Sequence, residues 1–112
     1  MDCLFCKIVS GDIPAQKIYE DDQILAFNDI SPQAPVHFLV IPKKHFSTLN
    51  HLTADDKELA GHILLTAQHL AKESGCEAGF RVVMNCEEHG GQTVYHIHMH
   101  VLGKRQMTWP PG

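Results

Sequence analysis

The nine residues Tyr95 to Gly103, YHIHMHVLG, set histidines at every second position with an apolar residue after each. Successive side chains of an extended strand point to opposite faces, so His96, His98 and His100 share one face while Ile97, Met99 and Val101 share the other. The pattern predicts a final strand over Val94 to Leu102, its apolar set on a core beneath a helix and its imidazoles turned away. Alternate residues of a strand lie about 6.6 Å apart, which separates His96 from His100 by roughly 13 Å at Cα. Zinc holds nitrogen ligands at about 2.0–2.1 Å, so this spacing disfavours one ion gripped by all three side chains. The plain alternative is an edge strand that happens to carry solvated histidines. Three in phase, just after a Gly-Gly pair, point instead to a face that uses imidazole. A neutral imidazole is a nucleophile near neutral pH, and a second one can hold or pass a proton.

The rest of the chain offers a sheet and a helix to receive that strand. Residues 3 to 10 read as a short helix, followed by the turn signal GDIP with Gly11 and Pro14. Lys17 to Glu20 and Ile24 to Asn28 are strands separated by the acidic turn Asp21-Asp22, which together predict a hairpin, and His37 to Pro42 reads as a third strand. Thr53 with Asp56 three residues later marks a helix start, and Leu59, Ile63, Ala67 and Leu70 repeat at helical spacing until Gly75, a helix of about 20 residues. Phe80 to Met84 reads as the next strand, CEEHGGQT as a polar turn, and the tail GKRQMTWPPG has too much Pro and Gly to continue a strand. Neither an internal repeat nor a low-complexity linker interrupts the chain. The expectation is a single α+β domain over 1–112, with about five antiparallel strands and helices largely on one face.

Charge and cysteine use narrow the function classes. A formal charge of −4 argues against a broad face for nucleic-acid polymers, whose binding depends on Lys and Arg neutralising phosphates, but leaves room for one small anion. No apolar run approaches the roughly 20 residues of a membrane span, and MDCLFCKIVSGD lacks a signal-peptide pattern, so the expected location is the cytoplasm. There the four cysteines are not expected to pair as disulfides. Cys76 and Cys86 have no ligand spacing and read as buried or incidental thiols, and His51, His62, His69 and His89 read as surface positions. Cys3 and Cys6 form a C-x-x-C, which is half of a structural zinc site, a redox pair or an incidental pair; spacing alone leaves all three open.

Before the histidine row, Gly90-Gly91 lets backbone N–H groups approach an anion, Thr93 adds a hydroxyl and Asn85 an amide, which together look like a donor cradle for phosphate oxygens. At these residues the sequence resembles the histidine triad (HIT) nucleotide-binding proteins, whose signature alternates three histidines with apolar residues; HIHMHVL, His96 to Leu102, matches it completely. The resemblance runs through FNDISPQAPVHFLVIPKKH, Phe27 to His45, the segment GGQTVYHIHMHVLG and the tail GKRQMTWPPG, and the last two place it near the Hint branch.

The resemblance implies a HIT-like fold and hydrolysis of purine nucleoside 5′-phosphoramidates and aminoacyl-adenylates through a nucleotidyl-histidine. By that analogy His98 attacks the α-phosphorus, the carbonyl of His96 holds its other ring nitrogen, His100 contacts phosphate or the bridging atom, and His37 supports the nucleophile. Thr93, often Ser in that branch, assists the leaving amine, and Asn85 with the backbone of Gly91, Gln92 and Thr93 cradles the phosphate. Asp29 accepts from the ribose, and Leu4, Phe5, Ile8, Phe27, Ile30 and Leu39 form the base pocket. Microbial relatives that bind structural zinc imply Cys3, Cys6, His45 and His96 as its ligands, with no catalytic metal. The resemblance also implies a homodimer, with the Trp109 tail crossing toward the partner. Two alternatives stay in play: a dinucleoside polyphosphate hydrolase of the Fhit type, and a nucleotide-binding regulatory protein with incidental hydrolysis.

Overall fold

The computed structural model describes residues 3–112. The first helix, α1, spans Leu4–Ser10, with the Cys3 side chain capping its start and Gly11, at φ 88°, ending it in the left-handed region that glycine adopts without penalty. Strands β1 (Lys17–Glu20) and β2 (Ile24–Asn28) form the expected hairpin. Asp21 makes its turn, accepting the N–H groups of Gln23 and Ile24 at 2.8 and 2.9 Å. After β3 (Val36–Pro42), Thr53 and Asp56 close the expected capping box on a short 3-10 turn that runs straight into α2 (Lys57–Glu73). Strand β4 (Phe80–Val83), a four-residue helix α3 (Glu87–Gly90) and β5 (Met99–Gly103) complete the chain. The five strands form one antiparallel sheet in the order β1-β2-β3-β5-β4. Among the described residues no helix is long and apolar enough to cross a membrane.

Two cores lie on the two faces of this sheet. Ile24, Ala26, Phe38, Val40 and Val101 meet Ile63, Ala67, Leu70 and Ala71 of α2 on one face. Leu25, Phe27, Leu39 and Ile41 meet Cys3, Phe5 and Ile8 on the other. Helices therefore cover both faces, which corrects the expectation of helices largely on one. The cause is visible in ILAFN: its first four residues are all buried, so both sides of the strand need a cover.

A second correction concerns the last strand, which begins at Met99 and not at Val94. Its ladder with β3 starts at the pair Val40–Met99. Beyond it stands Pro42, which has no N–H to donate, and whose carbonyl accepts from the His96 ring at 2.7 Å in place of a backbone partner. His96 and His98 thus precede the strand, and the Ile97 N–H bonds the Phe46 carbonyl at 2.8 Å. His62, expected at the surface, is half-buried, with Nε2 2.7 Å from Asp21 Oδ2.

Candidate active site and metal centre

Helix α1 and the α1–β1 connection roof a cavity of about 320 Å³ over the second sheet face. Leu4, Phe5, Ile8, Phe27, Ile30 and Leu39 line it, together with Asp29, Asn85, Thr93, His98 and His100. Ile13, Pro14, Ala15, Asn28 and Val94 also line it and were missed from sequence. The connection GDIPAQK shows only a turn signal, and nothing in it tells that it folds over a ligand space. The lining is mostly apolar, with two imidazoles, a carboxylate, an amide and a hydroxyl among it, the usual composition of a small-molecule site. His37 and His96 stand behind this surface. Gly91 and Gln92 do not reach it: their N–H groups bond the carbonyls of Glu88 (3.0 Å) and Glu87 (3.1 Å) in the C-terminal cap of α3. Of the three residues expected to form a backbone cradle there, Thr93 alone lines the cavity.

The hydrogen bonds fix the histidine tautomers. His98 Nδ1 lies 2.8 Å from the His96 carbonyl, an acceptor only, so Nδ1 carries the proton and Nε2 keeps its lone pair. His37 Nδ1 accepts the Gln33 backbone N–H at 3.0 Å, which puts the His37 proton on Nε2. That Nε2–H donates to His100 Nδ1 at 2.9 Å, leaving His100 with an Nε2–H of its own. One imidazole therefore presents a lone pair and its neighbour a donor, with ring centres 5.0 Å apart. Asp29 Oδ2 stands 3.4 Å from His37 Nε2 and 3.9 Å from His100 Nδ1.

Burial keeps these rings neutral. Removal from water pushes His98 and His37 below the ordinary imidazole value, with the Asp29 charge opposing it. His100 falls to about 4, first through burial and then through the positive charge that His98 and His37 would add. The Phe5 ring packs edge-on to His98 at 5.0 Å and to Phe27 at 5.5 Å, so the helix that walls the cavity also shields His98 from water.

Behind the cavity, Cys3, Cys6, His45 and His96 bring four ligand atoms within 4.8 Å of one another, a cluster that could hold a metal ion. His96 Nδ1 lies 3.4 Å from Cys3 Sγ, 3.6 Å from Cys6 Sγ and 3.2 Å from His45 Nδ1; Cys6 Sγ is 3.4 Å from His45 Nδ1. A tetrahedron built on zinc bonds of about 2.3 Å to sulfur and 2.05 Å to nitrogen has S–N edges of about 3.5 Å and an N–N edge of about 3.3 Å. The donors also face the right way. His96 Nε2–H goes to the Pro42 carbonyl, freeing Nδ1, and His45 Nε2 bonds Ser47 Oγ at 3.2 Å, the outer support typical of metal-bound imidazoles. The thiols are free, and burial followed by the hydrogen bond with Cys3 pushes the Cys6 thiol up, so Cys6 is poorly suited to ionise without a cation.

Asp29, His37 and His100 form a second group of metal-ligand types. It fails on the tautomer: a metal at His37 Nε2 would require a proton at Nδ1, where the Gln33 N–H already points.

The HIT domain family model matches residues 10–107. An uncharacterized HIT-like protein of Synechococcus elongatus is 51% identical over 99% of this chain and 97% of its own length. A second, from Synechocystis, is 50% identical over the same shares. Among solved structures, a HIT family hydrolase from Legionella pneumophila superposes with a TM-score of 0.97 at 58% identity, covering 99% of this chain and 100% of its own. A histidine triad protein from Clostridium difficile does so at 0.92 and 47% identity, covering 96% and 95%. With its triad, its five-stranded antiparallel sheet and these likenesses together, the chain belongs to the HIT family.

Proposed function

We propose that the protein hydrolyses purine nucleoside 5′-phosphoramidates, and aminoacyl-adenylates by the same route, through a nucleotidyl-histidine at His98. The observation that carries this reading is the 2.8 Å contact of His98 Nδ1 with the His96 carbonyl, which commits the opposite nitrogen to a lone pair beside a cavity of nucleoside size. That lone pair forms the bond to the α-phosphorus as the P–N bond to the amine breaks. The His100 Nε2–H, the Asn85 amide and the Thr93 N–H and hydroxyl are the donors for the phosphoryl oxygens and the departing nitrogen. Water then attacks phosphorus, breaks the P–N bond to His98 and releases the nucleoside monophosphate. The base lies between Phe5, Ile8, Phe27, Ile30 and Leu39, and Asp29 accepts from the ribose.

No Lys or Arg lines the cavity among the described residues, so it offers no fixed cation for the extra phosphates of a dinucleoside polyphosphate. This favours substrates with a single phosphoryl group. The relative from Legionella pneumophila, named a hydrolase, supports the reaction class. In His98→Asn, turnover of an adenosine phosphoramidate should fall by at least about 10³-fold with AMP binding retained, and acid quench of the wild type should show a nucleotidyl adduct by mass spectrometry. Unchanged turnover would refute the nucleophile.

Cys3, Cys6, His45 and His96 fit structural zinc, which would tie α1 to the segment carrying the nucleophile. Metal analysis of untagged protein should find about one zinc per chain, as four-ligand sites of this composition do; a value far below that removes the assignment. We further propose a cytoplasmic homodimer. Strand β4 is an edge with Phe80 and Val82 exposed, and Trp109 is 82% exposed on the tail that the Arg81 side chain holds through the Thr108 carbonyl at 2.8 Å. Light scattering should give twice the chain mass; a monomer at micromolar concentration would contradict it.

A further inference from the structure

Gln92 is buried, 6% exposed, yet it does not line the cavity. Its side-chain amide is fully engaged. The carbonyl accepts the Glu87 N–H at 2.8 Å, and the amide nitrogen donates to the Ser47 carbonyl at 2.7 Å and the Val94 carbonyl at 3.1 Å. One side chain thus joins the segment after β3, the first residue of α3 and the segment leading to His96. Glu87 needs such a hold. Its φ of 59° puts a non-glycine residue in the left-handed region, which persists only where surroundings impose it. The Gln92 carbonyl holds its N–H and the Asn50 amide its carboxylate, at 2.6 Å.

Asn85 lies two residues before Glu87, and Thr93 directly follows Gln92. Among the described residues neither side chain has a hydrogen-bond partner within the protein, so backbone path and packing alone decide where these two polar groups stand in the cavity. Ser47, on the other side of Gln92, supports His45 of the metal cluster through its hydroxyl. The same amide therefore bonds the segments that carry Asn85 and Thr93 and the residue that supports His45.

We propose that Gln92 is a positioning residue: its amide places Asn85 and Thr93 for a phosphoryl group without touching the ligand. This rests on the reading that the polar lining of the cavity takes a phosphate. The test is a split between two ligands, AMP and adenosine, measured calorimetrically on wild type and Gln92→Met. Loss of the three buried hydrogen bonds should weaken AMP at least about tenfold while adenosine, held by the apolar lining, stays within about twofold. kcat for an adenosine phosphoramidate should fall by more than KM rises. Equal weakening of both ligands, or of neither, would overturn the proposal. Should Gln92→Met fail to fold, Gln92→Glu tests the two donated bonds alone: it keeps the acceptor for the Glu87 N–H, so AMP should again weaken more than adenosine, by a smaller factor, and equal weakening of both would overturn the proposal. If wild-type protein binds adenosine but gains nothing from the phosphate of AMP, the phosphate reading is what fails. Amide exchange then judges the placement directly: unchanged protection of the Glu87 N–H in Gln92→Met shows that Gln92 does not hold that segment.

Discussion

His98 gains its lone pair from a backbone atom, and His100 gains its donor from a chain of two contacts that begins at the Gln33 N–H. Removing His37 breaks that chain and lets the His100 proton move to Nδ1. His37→Phe should therefore lower kcat by about 10- to 100-fold with a smaller change in KM, a separation that steady-state kinetics can read. The pH profile follows from the same burial. Because His37 and His98 lie below the ordinary imidazole value and His100 reaches about 4, the acid-side decline of kcat/KM should be centred below the ordinary imidazole range. A decline centred on the free-imidazole value of about 6.5 would contradict the burial argument. Gly103 poses a different constraint. A Cβ there would run into the Cys76 sulfur and approach the Phe80 side chain at 3.6 Å. Gly103→Ala should cost about 1–3 kcal/mol in urea unfolding, and Cys76→Ala should recover part of it by making room.

Helix α1 is held to the sheet by its side chains. Its backbone hydrogen bonds beyond the helix go to Cys3, Gly11 and Ile13, none to the sheet among the described residues. Phe5 and Ile8 pack it down, and Cys3 and Cys6 stand against His45 and His96, where a bound metal ion would fasten it. Chelation, or Cys3→Ser with Cys6→Ser, should raise amide exchange over Leu4–Ser10 and weaken AMP binding, since the same helix walls the cavity; exchange that stays unchanged after chelation would show that packing alone holds it. The sequence announced the elements with local causes. The hairpin was readable from Asp21-Asp22, the start of α2 from Thr53 and Asp56, and the contrast of imidazole and apolar positions from its period of two. What it did not announce depends on distant partners. Nothing near Val94 says that Pro42 will withhold an N–H, and nothing in CEEHGGQT says that Gln92 will fold back to hold Glu87. The site was readable through its side chains and the family likeness, while Ile13, Pro14 and Ala15 became lining only because α1 crosses the sheet.

The whole molecule carries its catalytic burial as an acid sensitivity. The unfolded chain takes up protons on its imidazoles near 6.5, whereas folded His100 waits until about 4 and folded His37 also lies low. Between these values the unfolded state binds more protons, so stability is complete above about 6.5 and is lost as pH falls toward about 4. The urea midpoint should stay level above about pH 7 and fall between about pH 6.5 and 5, and an unchanged midpoint across that lower range would count against neutral buried histidines. The two-sided burial of β2 has another consequence. Ile24 and Ala26 belong to the scaffold beneath α2, while Leu25 and Phe27 belong to the core beneath α1, where Phe27 reaches the ligand space. A change at Phe27 or Leu39 can reshape what the cavity accepts while the α2 core keeps its packing, so substrate preference and foldability can evolve on alternate residues of the same strands.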